Sequence, residues 1–398
     1  MSDKVVLAYS GGLDTSVAVA WLKETEGLDV IAVVVDVGQG GDFNKIAQRA
    51  ISAGAIDCIV VDARDEMAED FVVPAIKANA LYEGRYPLVS ALSRPVIVKH
   101  LVEVARARGA GSVAHGCTGK GNDQVRFEVG IASIAPELET LAPARSWGMS
   151  RAELLKYAHE HAISVEAAVD KLYSIDENLW GRAIECGVME DPWVSPPEDV
   201  YELTIQRETI PREVILSFEK GIPVAIDGEK LKLADLISLM SQIAGSYGWG
   251  RIDMVENRRV GIKSRETYEC PGALAILLAH SDLESIALER DLAHEKLRLE
   301  PRWAELVYDG MWFSPLKQAI DSFFAESQKS VTGDVRLRFS PGNCTVVGRR
   351  SELSLYDYGL ATYEPEDTFK HEYAEGFVQI WGMSLSTWAR IQGLGTSK

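Results

Sequence analysis

Lys4-Val5-Val6-Leu7-Ala8-Tyr9-Ser10-Gly11-Gly12-Leu13-Asp14-Thr15-Ser16 stands near the amino end of the chain. Its first half, Lys4 to Tyr9, is almost continuously apolar and β-branched, as a strand covered on both faces should be. Two glycines then let the backbone turn tightly, and a helix is predicted from Thr15 to Glu24. The first helical turn offers unpaired N–H groups, and Ser10, Thr15 and Ser16 add hydroxyls, so the turn is built for an anion. It lacks the lysine of a Walker A loop and the spacing of GxGxxG. A carboxylate beside a polyphosphate is repulsive unless it caps the helix or reaches magnesium, and Asp14 is read as the cap.

Outward from that loop the pattern repeats. Further short strands are predicted over Asp29 to Val35, Asp57 to Asp62, Ser112 to His115 and Glu139 to Ala142, with helices over Phe43 to Ala53 and Arg94 to Arg108. Strands alternating with helices specify an α/β class, here a doubly wound parallel sheet. A boundary is placed near residue 165. Beyond it, strands over Tyr201 to Arg207, Pro223 to Asp227, Arg251 to Val255, Asp334 to Phe339 and Thr345 to Gly348 mix with helices over Leu233 to Ile243, Gly272 to Glu289 and Trp303 to Glu326, an α+β domain. The expected division is 1–165, 166–364 and 365–398. The last segment carries Leu385, Trp388 and Ile391 at three-residue spacing on a short helix. A lone helix must dock, either on its own body or on another subunit, and the second option makes a homo-oligomer the expectation.

Composition narrows the function. The 398 residues include 41 Lys+Arg against 59 Asp+Glu, a net charge of −18 that repels a nucleic-acid backbone. The longest apolar runs, such as Val30 to Val35, fall far short of the roughly 20 residues that span a bilayer. Five scattered cysteines form no CxxC pair, which fits a reducing, cytoplasmic setting and suggests no zinc site.

A second glycine-rich loop, His115-Gly116-Cys117-Thr118-Gly119-Lys120-Gly121-Asn122-Asp123-Gln124-Val125-Arg126-Phe127, follows the fourth strand. In an open parallel sheet the ends of the first and fourth strands flank the topological switch point, so both loops should face one crevice. Thr118 and glycine N–H groups suit a carboxylate, Asp123 an ammonium, Asn122 an amide, and Arg126 a carboxylate or phosphate. An amino acid needs that mixture. The plainer reading is a surface loop in which Asp123 caps the helix carrying Arg126.

The string SGGLDTS resembles the pyrophosphate loop of the N-type ATP pyrophosphatases, which cleave ATP to AMP and pyrophosphate. Together with HGCTGKGNDQVRFE, Asp36 to Gln39, Tyr82 to Pro87, Leu92 to Pro95, Tyr173 to Leu179, Gly250 to Arg258 and Lys263 to Arg265 before Tyr268, the chain resembles the argininosuccinate synthase family over nearly its whole length. The resemblance implies an adenine nucleotide α-hydrolase-like first domain and a tetramer. It also implies condensation of citrulline with aspartate through a citrullyl-adenylate, with ATP consumed and Mg2+ carried on the nucleotide. Ala8, Tyr9, Ser10, Gly11, Gly12, Leu13, Asp14, Thr15, Ser16, Val35 and Gly116 would contact ATP. Thr118, Asn122 and Asp123 would hold aspartate. Tyr86, Ala91, Asn122, Arg126, Ser174, Ala183, Glu256 and Tyr268 would line the citrulline site, with Asp14, Asp123 and Arg126 the catalytic set and no protein-held metal.

Ala91 and Ala183 replace serines common in the family, which removes two hydroxyls and leaves Ser90 as a neighbour of the first. For the proton of the aspartate ammonium, Asp123 and His115 are the candidate bases. Thiolases of tRNA and glutamine-dependent amidases share the first loop, but a second catalytic cysteine with a basic face, or an amidotransferase domain, is lacking in this sequence. A nucleotide-binding sensor on the same fold is the reading from another class.

Overall fold

Val5 and Leu7 of β1 (Lys4–Ala8) enter one apolar cluster and Val6 enters another, and all three are fully buried. The computed structural model describes residues 3–163 and 173–393. In β2 (Asp29–Asp36), Val30, Ala32 and Val34 join the first cluster, and Ile31, Val33 and Val35 the second. β3 (Asp57–Asp62), β4 (Ser112–Ala114) and β5 (Glu139–Leu141) complete a sheet of order β3-β2-β1-β4-β5 in which every neighbouring pair is parallel. One face is covered by α1 (Leu13–Thr25) and α2 (Phe43–Ser52), the other by α3 (Val89–Arg108) and α4 (Asp123–Ile134). This is the doubly wound sheet expected from the sequence, with each strand bounded to within one residue. The boundary expected near residue 165 lies outside the described residues.

The chain forms two compact units, Met1–Leu353 and Ser354–Lys398. The first also contains β6 (Ser174–Asn178), β7 (Gly181–Glu185), β8 (Arg212–Glu219), β9 (Ile222–Ile226), β10 (Glu229–Lys230), β11 (Arg251–Asn257), β12 (Lys263–Glu269), β13 (Gly333–Ser340) and β14 (Asn343–Arg350). They make two antiparallel sheets, β10-β9-β8-β13-β14 and β11-β12-β7-β6.

Three expectations fail for physical reasons. Tyr201 to Arg207 is not a strand. The backbone N–H groups of Glu202, Leu203 and Thr204 all donate to the fully buried carboxylate of Glu269 at 2.8–3.0 Å, and Arg182 Nη1 meets the same carboxylate at 3.0 Å. A carboxylate takes the donors that a neighbouring strand would have used. Trp303 to Glu326 is two helices, Arg290–Tyr308 and Pro315–Ser327. The chain breaks at Gly310 (φ +78), where an added Cβ would lie 2.9 Å from Arg126 Cα, so only glycine passes so close to the start of α4. Finally, the terminal helix of the second unit is not short: it runs 20 residues, Glu372–Ile391, and none of its side chains is buried within that unit.

Candidate active site at the strand ends

β1 ends at Ala8, and Tyr9 to Gly12 turn into α1. Gly11 takes φ +75, and Arg49 Nη1 fastens the turn by donating to Gly11 O at 2.5 Å. Ser10 Oγ and Thr15 Oγ1 lie 3.2 Å apart, while Tyr9 Oη meets Ser16 Oγ at 2.9 Å. The expected cap is absent: Gly12 is the N-cap residue, no side chain satisfies it, and Asp14 stands in the first helical turn with its side chain exposed. The helix N-terminus therefore keeps its N–H groups for a ligand.

The second loop lies directly against the first. A Cβ on Gly116 would sit 2.9 Å from Thr15 Cγ2, so glycine is what allows the loops to touch. Gly116→Ala is expected to weaken ATP binding about tenfold, from an overpacking cost of about 1–3 kcal/mol. ATP titration checks this, and unchanged affinity would mean that the loops part freely. His115 is wholly buried, its Nδ1 receiving Cys117 N–H at 3.2 Å and its Nε2 3.5 Å from Glu128 Oε1. Burial lowers its pKa, which favours the neutral imidazole. Asn122, the N-cap of α4, does not cap with its side chain; its Oδ1 accepts Arg259 N–H at 2.9 Å from the β11–β12 turn.

Asp123 is clamped between two guanidiniums. Arg94 Nη2 reaches Oδ2 at 2.7 Å, and Arg126 Nη1 reaches Oδ1 at 2.8 Å. Arg94 Nη2 also donates to Asp176 Oδ2 at 2.8 Å, and Arg126 Nε to Tyr308 O at 3.0 Å. Enclosure alone would push the Asp123 pKa up, but Arg94 and Arg126 outweigh it and hold the carboxyl at about 2. The cap reading of Asp123 does not survive this arrangement, in which Asn122 is the N-cap, and so low a pKa makes Asp123 a weak proton acceptor.

The opposite wall is the β11-β12-β7-β6 sheet. Ile252 pairs with Tyr268, Tyr268 with Ala183 and Ala183 with Asp176, so the strand period of two puts Glu256, Glu266, Tyr268, Ala183, Glu185, Asp176 and Ser174 on one face. Tyr268 Oη donates within reach of Glu256 (3.0 Å) and Glu266 (2.6 Å), and Tyr308 Oη donates to Glu256 Oε1 at 2.7 Å. Glu256 is 2% exposed. Burial, reinforced by the charge of Glu266, pushes its pKa up to about 8. Arg258 is the counter-charge, bonded to Glu185 and to Glu266 at 2.8 Å. Tyr86 stacks on Tyr268 with ring centroids 4.2 Å apart.

These walls enclose a cavity of about 790 Å³. From the nucleotide set it brings together Ala8, Tyr9, Ser10, Asp14, Thr15, Val35 and Gly116; from the amino-acid sets, Asn122, Asp123, Tyr86, Arg126, Ser174, Ala183, Glu256 and Tyr268. Gly11 and Gly12 shape the turn without lining it, Leu13 and Ser16 are buried behind it, and Thr118 is exposed away from it. Ala91 is packed in the core, whereas Ser90 lines the cavity and donates its N–H to Tyr86 Oη at 2.9 Å. The sequence reading assigned no role to Arg94, Asp176, Glu185, Glu266 or Tyr308. Arg94 and Asp176 stand within the quoted motifs, and Arg94 is a charge set among Leu92, Pro95 and Val96 in the more apolar first half of its helix.

Comparison with known proteins agrees with this geometry. Residues 4–164 match the family model described as Arginosuccinate synthase N-terminal HUP domain, and residues 173–388 match the Arginosuccinate synthase C-terminal domain. Argininosuccinate synthase of Halalkalibacterium halodurans is 53% identical over 391 residues, covering 98% of this chain and 95% of that protein. Among solved structures, NAD+ synthetase from Burkholderia Pseudomallei aligns at 18% identity over 42% of this chain and 62% of that one, with a TM-score of 0.28, too slight a likeness to bear on fold or function. With both family models matched in chain order and a relative of that identity spanning nearly the full length, the chain belongs to the argininosuccinate synthase family.

Proposed function

We propose that the cleft joins citrulline to aspartate at the expense of ATP, giving argininosuccinate, AMP and pyrophosphate. The observation that carries this reading is the contact of the two glycine-rich loops, Gly116 against Thr15, facing the Glu256–Tyr268 wall across one cavity. One loop suits a polyphosphate and the other an amino acid.

A ureido oxygen is a poor leaving group, so it must first be activated. The citrulline ureido oxygen attacks the α-phosphorus, the bond from that phosphorus to the bridging oxygen breaks, and pyrophosphate leaves toward Ser10 to Ser16. The aspartate amine, having lost a proton, then attacks the ureido carbon and AMP departs with the oxygen. Alignment and fixed charge can each contribute several kcal/mol to such a reaction without a protein nucleophile. Arg126 is assigned to a substrate carboxylate, Glu256 to the citrulline ammonium, and Asn122 to aspartate. Asp123 serves as a fixed negative charge.

Among the described residues no three metal-ligating side chains converge. Mg2+ would enter with the nucleotide, where the uncapped Asp14 with Ser10 and Thr15 suits one carboxylate plus hydroxyls beside phosphate. There it would offset phosphate charge. We assign nucleotide binding to 1–165, amino-acid binding to 166–364, and oligomerisation, as a homotetramer, to the tail 365–398. The support is the Glu372–Ile391 helix, on which Trp381 is 75% and Ile391 73% exposed. A cytoplasmic location and an absence of nucleic-acid partners rest on composition; no helix of the described residues is long and apolar enough to cross a membrane. Incubation with Mg-ATP, citrulline and aspartate, omitting each amino acid in turn, tests the function. AMP and pyrophosphate requiring both amino acids is expected, and intact ATP under all conditions would leave a nucleotide sensor.

A further inference from the structure

β1 stops three residues short of its neighbour. Ala8 pairs with Val33, and Tyr9 N–H closes the ladder on Val33 O at 2.9 Å, so the edge of β2 beyond that point is open to the cavity. Val35, Val37 and Gln39 all line it. The Gln39 side chain folds back on this edge: Nε2 donates to Val35 O at 2.8 Å, and Oε1 accepts Val37 N–H at 2.7 Å.

A carboxamide presents a donor nitrogen and an acceptor oxygen on one carbon. The Watson–Crick edge of adenine presents a donor N6 and an acceptor N1 on one carbon, in the same order. We propose that Gln39 is an intramolecular competitor of the adenine base: its carboxamide occupies the backbone acceptor of Val35 and donor of Val37, and must leave when adenine takes them. The proposal rests on the ATP reading of the cleft and adds how the base is admitted.

The surroundings allow only the side chain to move. Leu179 N–H donates to Val37 O at 2.8 Å, Asp36 Oδ1 accepts Gly38 N–H at 2.8 Å, and a Cβ on Gly38 would lie 2.8 Å from Leu179 N. The turn is thus fixed from behind, and Gln39 is only half-buried in front. Apparent affinity falls by the fraction of protein in which the edge is free, so the plug weakens ATP binding without touching the phosphates.

The test is equilibrium binding of ATP and of inorganic tripolyphosphate to the full chain and to Gln39→Ala and Gln39→Met, the second keeping length without the amide. Both variants are expected to bind ATP about tenfold more tightly, the worth of about two net hydrogen bonds, with tripolyphosphate affinity unchanged. A purely structural role for Gln39 predicts weaker ATP binding in both variants. ATP affinity unchanged or lowered overturns the proposal, as does an equal gain for tripolyphosphate, which would locate the effect away from the base. A wild-type chain that binds tripolyphosphate but not ATP overturns the nucleotide reading itself.

Discussion

Replacing Arg126 by alanine is expected to raise the citrulline KM by about a hundredfold or more while the ATP KM moves little. Arg126 is 6% exposed and among the described residues commits Nε to Tyr308 O and Nη1 to Asp123; a guanidinium carries five N–H donors, so others remain for a substrate carboxylate. Loss of a buried charge partner commonly costs about 3–5 kcal/mol because the other charge is stranded. Here Asp123 keeps Arg94 at 2.7 Å, so the carboxylate stays ionised and paired, and the fold should survive. Arg126→Lys retains charge without the planar fork and should restore only part of the loss. Melting temperature alongside the two KM values separates binding from folding. A citrulline KM unchanged in the alanine variant would remove Arg126 from the site.

What could be read from the sequence was what obeys local rules. Val5, Val6 and Leu7 are apolar because both faces of their strand are covered, so the first sheet and its two loops follow from a run of residues and a pair of glycines. The second part resisted because its backbone partners are remote. Nothing within Tyr201 to Arg207 indicates that its donors go to Glu269, more than sixty residues away. Gly310 reads as a weak helix breaker, and only its approach to Arg126 explains why the break is needed and why Tyr308 ends where it can receive Arg126 Nε. Within the site, the resemblance carried residues whose positions match motifs, but not the groups that tune them. Arg94, from another helix, joins Arg126 in holding Asp123 ionised, and Glu266 adds, across a strand pair, to the burial that raises Glu256. Asp14 went astray through a general rule: first-turn carboxylates often cap, yet this helix begins at Gly12, a glycine with no side chain to cap it.

Glu256 makes the second large prediction, a pH dependence with a definite sign. Its carboxyl is pushed up to about 8, first by burial and then by Glu266, so at neutral pH it is mostly protonated in the free site. Binding of an ammonium favours the carboxylate, so citrulline affinity should improve as pH rises through about 8. If only the ionised form binds, the citrulline KM should fall about fiftyfold between pH 6 and pH 8, following the ionised fraction, while the ATP KM does not share that trend. Glu256→Gln cannot ionise; it should lose the slope and at pH 8 bind citrulline more weakly than wild type. The same shift acts on stability. A carboxyl whose pKa is higher folded than unfolded disfavours the folded state as pH rises from the unfolded value toward the folded one. Without citrulline, the Glu256→Gln variant should therefore melt higher than wild type at pH 8, with a smaller gap at pH 5. A flat citrulline KM from pH 6 to 8, or an unchanged slope in Glu256→Gln, would mean that the ammonium is held elsewhere and that the Tyr268–Glu256–Tyr308 cluster is structural.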